Sequence, residues 1–446
     1  MGPRHRFRIV ICGAGIGGLT AAAALSAYPD IDVEIYEAAT QLTELGAGIG
    51  IFPRPWKVMQ ILGIEDELLK YSEVERKEGP VPSFRYRKSD QEPGFDFYTL
   101  TTHGNLMLFH RADFQRVLLA RLPKSYGIHL GKRLRDYQQR SFGPIEVVFE
   151  DGSTTTCDVL IGADGLKSAV RKSLLTEKAA RARSNGRRGE AASMYDAIDP
   201  VWSGTNAYRA LIPSEDLRRI APDHKVYTQP TQYLGKDGYI IAYSVDHGKY
   251  INFVAFISRH DLEYSLFDGP WFSPVDRAEF TDHFSGWESE VQQLIACVRQ
   301  PLRWAIHATK SLPSFVSGNV TLLGDAAHAM TPHQGSGAGQ AVEDAYILAS
   351  VLGHPSTNRN TIHRALHIFD AIRRPQALQV AARSRRHGQL FTLHDYNFDG
   401  LSDDVLSKRL RLLSEEITKG WEWTWTTTVE DEKREALHLV LESQQS

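Results

Sequence analysis

The stretch GDAAHAMTPHQGSGAGQAVEDA, from Gly324 to Ala345, places an acid, two histidines, a proline and four glycines directly before a helical pattern. Glycine loses more backbone freedom on folding than any other residue, so this density implies that something comes close to the backbone here. His328 and His333 are metal-ligand types, but they lie five residues apart across a proline and no further ligand cluster accompanies them. No metal is therefore expected, and His328 reads as a packed or capping side chain. Asp325 could serve as a helix cap or as a ligand for a polar group brought to this loop.

The elements that must carry this loop begin at the N-terminus. RIVICGAGIGGLTAAAALSAYPDIDVEIYEAA reads as strand, glycine turn, helix and second strand. Gly13, Gly15 and Gly18 form G-x-G-x-x-G: the first permits the tight turn, the second lets a pyrophosphate approach the backbone, and the third lets helix and strand pack closely. Glu37 ends the second strand, 19 residues after Gly18, where an acid accepts hydrogen bonds from a ribose diol. The unit specifies an adenine dinucleotide without distinguishing NAD from FAD. The same strand-turn-helix form recurs at Cys157 to Leu175, where Val159 to Ile161 lead to Asp164-Gly165, with Ser168 and Arg171 following at helical spacing. It recurs again where Val320 to Leu323 end at Gly324-Asp325, with a helix expected to begin near Gly337 to Gly339.

The order GxGxxG, HRADF (His110 to Phe114), Asp164-Gly165, Gly324-Asp325 resembles the single-component, group A FAD-dependent aromatic hydroxylases with the para-hydroxybenzoate hydroxylase fold. The loop quoted first is most similar to the salicylate hydroxylase branch and its fungal relatives. So are LGAGIGIFPRPWKVMQILGI (Leu45 to Ile64) and FDAIRRPQALQVAARSRRHGQLF (Phe369 to Phe391). The resemblance implies an α/β fold, α+β overall: a Rossmann-like FAD-binding domain with an inserted antiparallel β-sheet substrate domain and a helical C-terminal segment. The FAD-binding parts would be 1–75, 101–175 and 310–395, with a substrate-domain excursion at 76–100, the substrate sheet at 176–309 and the helical segment at 396–446. It further implies that Asp325 binds the ribityl or pyrophosphate part of FAD and that Pro332 to Gly339 pass beside the isoalloxazine. Gly337 and Ala338 would direct a helix N-terminus at N1 and C2=O. Arg111 would contact FAD from the side, Gly48 and Gly50 would lie along it, and Asp164 would help hold the dinucleotide and serve NAD(P)H.

Between the second and third motifs, Glu177 to Ser193 holds five basic residues without apolar periodicity and is expected to be a surface loop. The pattern then turns β at Thr205 to Pro213, around Val226, and at Gly238 to Ser258, with turns at Asp237-Gly238 and His247-Gly248. Arg209 falls mid-strand, where a charge is costly unless paired. Tyr239 and Tyr243, four apart in one strand, share a face. Either tyrosine could be plain packing, and Arg209 a structural ion pair. By resemblance, Arg209 and Tyr243 would hold a phenolate or carboxylate, His333 and Gln334 would relay or orient protons, and Tyr239 and the Pro332 carbonyl would line the pocket. Related hydroxylases often carry histidine at the Tyr239 position, so the proton-accepting residue is left open. Trp421, Trp423 and Trp425 in the helical tail are expected to cover the FAD domain.

The implied reaction is hydroxylation of a small phenolic aromatic of the hydroxybenzoate or salicylate type. It would consume NADPH or NADH, bound transiently, and O2, through a flavin C4a-hydroperoxide, with CO2 lost if the attacked carbon bears the carboxylate. Hydroxylation or dearomatisation of a larger phenol is an alternative, as is a flavoprotein oxidase that hydroxylates nothing. Across 446 residues the net charge is -3, which excludes a global basic footprint for nucleic acid. Three scattered cysteines suit a reducing compartment, and no apolar run reaches the roughly 18 residues of a membrane span. A cytoplasmic monomer or homodimer is expected.

Overall fold

The structure, a computed structural model, describes residues 5–42, 48–72, 74–140 and 143–442. Leu45 to Ala47, the start of one stretch quoted above, lie outside the described residues. The strand Phe7–Cys12 is nearly all apolar and buried on both faces, as a central parallel strand requires. Parallel partners flank it on both sides, Ile31–Tyr36 and Val159–Gly162. The full six-stranded order is Val316–Ser317, Val320–Leu322, Val159–Gly162, Phe7–Cys12, Ile31–Tyr36, Gly127–His129. The helix Ile16–Leu25 then packs on helix Gly337–Gly353 without intervening bulk: a Cβ on Gly17 would lie 3.2 Å from that of Ala341.

The second large sheet has eight strands in the order Phe272–Pro274, Leu302–Ala308, Val201–Pro213, Tyr250–Ser258, Gly238–Val245, Thr231–Gly235, Pro80–Lys88, Phe95–His103. It is antiparallel as expected except at one junction, where Thr231–Gly235 runs parallel to Pro80–Lys88. That junction is where the early excursion joins the later strands, and Arg85–Glu290 (2.6 Å) and a buried Arg87–Glu288 pair tie it to helix Ser289–Ala296. Alternation gives the sheet two apolar faces. Tyr208, Tyr233 and Phe253 pack against Phe280 and Phe284 on one side. Ala207, Tyr239 and Phe256 pack against Phe391 and Trp421 on the other.

Two local expectations are corrected. Residues Glu177 to Ser193 are two helices joined by a three-residue turn, not a loop: Ala169–Ser184 and Arg188–Asp196 pack through Ala179, Ala182, Ala191 and Met194. Alanine and arginine are strong helix formers, and a four-residue apolar contact suffices to dock two such helices. Val226 lies in a 3-10 turn, Lys225–Tyr227, and the strand begins later, at Thr231.

The C-terminal helices are structural members of the core. Arg373, fully buried in helix Ile362–Phe391, donates to Asp344 (2.9 Å) and Gln340 (2.8 Å) on Gly337–Gly353, and pairs with Glu343 (3.2 Å) and with Glu432 of the last helix, Val429–Glu442. Arg54 bonds Glu343 (3.0 Å) and also meets Glu432. Trp423 stacks under Arg54, whereas Trp421 inserts between Phe52 and His387, at the joint with the second sheet. Removing one member of a buried, hydrogen-bonded ion cluster leaves its partners charged and unpaired, at a cost of about 3–5 kcal/mol. Arg373→Leu is therefore expected to destabilise the chain by that amount in chemical denaturation. A loss under about 1 kcal/mol would show that the cluster does not hold these helices.

Candidate active site

The first glycine turn is built for close approach. Gly13 sits at φ +111, and a Cβ there would lie 2.2 Å from the Ala163 carbonyl oxygen. A Cβ on Gly18 would lie 2.0 Å from the carbonyl oxygen of Gly13. Gly15, the N-cap of helix Ile16–Leu25, faces open space, with Arg111 Nη2 3.8 Å from its hypothetical Cβ. Glu37 accepts from the Ala14 amide (2.7 Å) and the Ala39 amide (2.7 Å), which ties the end of the second strand to the turn. Gly48 and Gly50 lie on the strand Gly48–Ile51, paired with Met107–His110 immediately before Arg111.

Asp164 differs in kind. Its carboxylate accepts from the amides of Ala169 (2.8 Å) and Val170 (3.1 Å) and from the Ser168 hydroxyl, so it caps the helix Ala169–Ser184. Burial raises its pKa against those bonds. Asp325, by contrast, is exposed within an otherwise buried strand-to-turn stretch, and a Cβ on Gly337 would lie 4.0 Å from its Oδ1. His328 is packed, as expected: it pairs with Asp344, which also accepts from the Gly324 amide (3.0 Å). Burial disfavours the Asp344 carboxylate, yet His328 and Arg373 outweigh it and hold its pKa at about 2.

The loop Pro332–Gln334 is a 3-10 turn that alternates its side chains. Pro332 and Gly335 are exposed, Gly337 and Ala338 half-buried, while His333 and Gln334 turn inward. One face of helix Ile362–Phe391, namely Ser384, His387, Gly388 and Phe391 at i, i+3, i+4 and i+7, receives them. Ser384 Oγ donates to the Thr331 carbonyl (2.6 Å) and accepts from the Gln334 amide (3.2 Å). Gln334 Nε2 donates to His387 Nδ1 (2.5 Å) and to the Gly420 carbonyl (2.9 Å). Gly388 leaves room for the His333 ring, whose Nε2 would lie 2.5 Å from a Cβ at that position. His387 and Gly388 were not singled out in the sequence. The available signal was a glycine inside a helical run, which costs up to about 1 kcal/mol and so implies a close neighbour.

Across this loop stands the inner face of the eight-stranded sheet. Strand pairing sets three successive rows: Ala207, Phe256, Tyr239; then Arg209, Val254, Ile241; then Leu211, Asn252, Tyr243. All nine side chains therefore share one face, and it is the face turned to Phe391 and Trp421. Tyr239 is buried between Phe256 and Phe391, and its hydroxyl meets His333 Nδ1 at 2.8 Å. Tyr239 thus packs more than it lines a pocket, and it reaches the loop through the histidine. Arg209 and Tyr243 are half-buried, and burial raises the Tyr243 phenol pKa while the nearby Arg209 charge opposes it. Arg209 forms no ion pair among the described residues.

This geometry can be set beside known proteins. A model of the family described as FAD binding domain matches residues 6–237 and 288–384. The chain belongs to that family. It is 34% identical to the FAD-dependent monooxygenase str9 of Strobilurus tenacellus over 98% of each chain. It is 34% identical to a salicylate hydroxylase of Pseudomonas putida, over 96% of this chain and 94% of that one. A solved salicylate hydroxylase substrate complex superposes with TM-score 0.81 at 32% identity, covering 96% of this chain and 98% of the other. The protein is an FAD-dependent monooxygenase of the salicylate hydroxylase type. Its residues fit the cofactor: Gly15 and Gly337 are open where phosphate and ring must approach, and Asp325 is exposed beside a helix N-terminus. Gln334 Oε1 is a buried acceptor with no partner among the described residues.

The two inward histidines impose a pH signature. Burial lowers His333 to about 3 and, against a hydrogen bond to the Ile417 carbonyl, His387 to about 4. Both stay neutral in the fold while the unfolded chain protonates them near 6.5. Their contribution is complete above pH 6.5 and is lost as the pH falls through 4, with a limiting slope of about 1.4 kcal/mol per pH unit for each group. Melting temperature is expected to decline below pH 6.5, and the decline should be shallower in His387→Gln. An identical slope in that variant would remove His387 from the account.

Proposed function

We propose that the protein is a single-component hydroxylase that consumes NAD(P)H and O2 and acts on a small phenolic aromatic acid of the hydroxybenzoate type. The observation that carries this is Arg209: a half-buried guanidinium without an ion-pair partner among the described residues, beside Tyr243, on the sheet face opposite the flavin loop. An unpaired buried charge is costly, and an anionic ligand would supply the missing partner. Similarity to a protein named salicylate hydroxylase supports the same substrate class.

Bound FAD supplies electron transfer from the nicotinamide and activation of O2. Asp325, Arg111 and the glycine turn at Gly13 to Gly18 would hold it, with the amides of Gly337 and Ala338 at its ring. The chain's remaining work is to orient the substrate, keep water out and favour the phenolate. Arg209 and Tyr243 anchor the anion, and the Pro332 carbonyl borders the pocket. Tyr239 stays protonated, because burial pushes its phenol well above the ordinary value. It donates to neutral His333, so a proton leaving the substrate side passes through that pair. His333 also borders a polar cavity of about 20 Å³ lined by Thr205, Ser258, His260 and Thr331, room for one water on the way out. Asp164, engaged as a helix cap, supports the nicotinamide side through the position of its helix. Overall, one oxygen atom enters the ring, the other leaves as water, and the nicotinamide provides two electrons. If the attacked carbon bears the carboxylate, CO2 departs.

The test is NAD(P)H oxidation by the FAD-loaded protein with hydroxybenzoates and neutral phenols, with products weighed. Stimulation and a product one oxygen heavier, or one oxygen heavier less CO2, is expected for the acids. Loss of a charge-assisted hydrogen bond costs about 1.5–3 kcal/mol, so Arg209→Ala should raise KM for the acid roughly 10- to 150-fold. The variant should also release more peroxide per NAD(P)H, and neutral phenols should be little affected. Equal losses for acid and neutral substrates would remove Arg209 as the anion anchor. Oxidation that no aromatic stimulates would overturn the hydroxylase reading.

A further inference from the structure

Asp237, His260 and His394 lie far apart in the chain and far from any ligand motif. The fold brings one potential ligand atom of each within 4.8 Å of the others. We propose that these three residues bind one borderline divalent transition-metal ion of the zinc type, beside the small cavity that His260 and His333 both line. Neutral imidazole nitrogens with one carboxylate suit Zn2+, Co2+ or Ni2+ rather than the all-oxygen preferences of Mg2+ or Ca2+. Three protein ligands leave at least one coordination position for water.

The backbone around the cluster is already assembled. Asp237 occupies the hairpin turn between Thr231–Gly235 and Gly238–Val245 at φ +57, a left-handed position. Its amide donates to the Thr392 carbonyl (2.9 Å), and its carbonyl accepts from the Ser258 amide (2.9 Å), two residues before His260. Lys236 Nζ donates to the His394 carbonyl (2.9 Å). Three chain segments are thus tied together without using the three candidate side chains. The His260 and His394 rings lie 4.0 Å apart by centroid.

One histidine also has the orienting contact that metal-bound imidazoles carry. Thr392 Oγ1 donates its proton to the Gly388 carbonyl (2.8 Å). It must therefore accept from His260 Nε2–H at 2.9 Å, which leaves the lone pair on His260 Nδ1. All three candidate ligands are half-buried, so an ion can reach them from solvent. With bonds of about 2.0–2.1 Å, tetrahedral ligand atoms sit roughly 3.3 Å apart, so the side chains need close by at most about 1.5 Å. A bound ion would clamp the substrate-sheet hairpin to the end of the helix that carries His387 and Gly388.

The experiment uses the full FAD-loaded chain, stripped with a chelator and then exposed to Zn2+ alone or Co2+ alone. After gel filtration, about one equivalent of zinc is expected to remain, with a raised melting temperature and visible Co2+ bands. His260→Ala and His394→Ala should each abolish retention, and Asp237→Asn should weaken it at least tenfold. Thr392→Val, which touches no ligand directly, should weaken it about 10- to 100-fold. Undiminished flavin content in each variant shows that it has folded. No retained zinc in the parent chain, or full retention in the His260→Ala, His394→Ala double variant, would overturn the site.

Discussion

The buried ion cluster around Arg373 and Asp344 is the constraint on which the rest of the site depends. Asp344 holds the Gly324 amide and His328 on one side and Arg373 on the other. This sets the strand-to-loop turn bearing Asp325 against helix Gly337–Gly353. Arg373 and Arg54 extend the same cluster to Glu343 and, across the fold, to Glu432. Burying so many charges is favourable only when each is paired and hydrogen-bonded. The cluster therefore tolerates few arrangements, and positional precision follows from that intolerance. The C-terminal helices are needed because they contribute one of its anions.

A second consequence is the division of labour between two sheets. The parallel sheet presents glycine turns, helix N-termini and exposed Asp325, groups suited to phosphate, ribityl and reduced-ring charge. The eight-stranded sheet presents a continuous face on which Arg209 and Tyr243 stand half-buried beside Asn252. Helix Ile362–Phe391 joins the two. Through Asp370 and Arg373 it belongs to the first, with Asp370 accepting from the Phe315 amide at 2.7 Å. Through Ser384, His387 and Gly388 it supports the loop that faces the second. Tyr239 and His333 meet where the two halves touch.

The local errors share one physical cause. Glu177 to Ser193 lacks a clear apolar period because only three alanines within it, with Met194 just beyond, make its contact, so composition suggested a loop where alanine-rich helices form. The parallel junction in the eight-stranded sheet joins residues about 146 apart, and no periodicity reports a pairing at that distance. The Asp164 carboxylate satisfies amides of the helix that begins a few residues later, a tie that only the folded turn shows.

By itself the sequence determined the parallel βαβ core, the glycine positions, the β pattern that puts Arg209, Tyr239 and Tyr243 in strands, and the loop from Pro332 to Gly339. Those features are local: a period of two or 3.6 and a positive-φ turn are written in adjacent residues. Tertiary structure alone decided that Tyr239 speaks to His333 rather than to open pocket. It also decided that Arg209 has no ion-pair partner among the described residues, that Gly388 yields its side-chain space to a histidine 55 positions earlier, and that Glu432 completes a charge cluster. Each depends on which surfaces are pressed together, and on the desolvation that makes an unpaired charge costly there. Neither quantity exists until distant segments have packed.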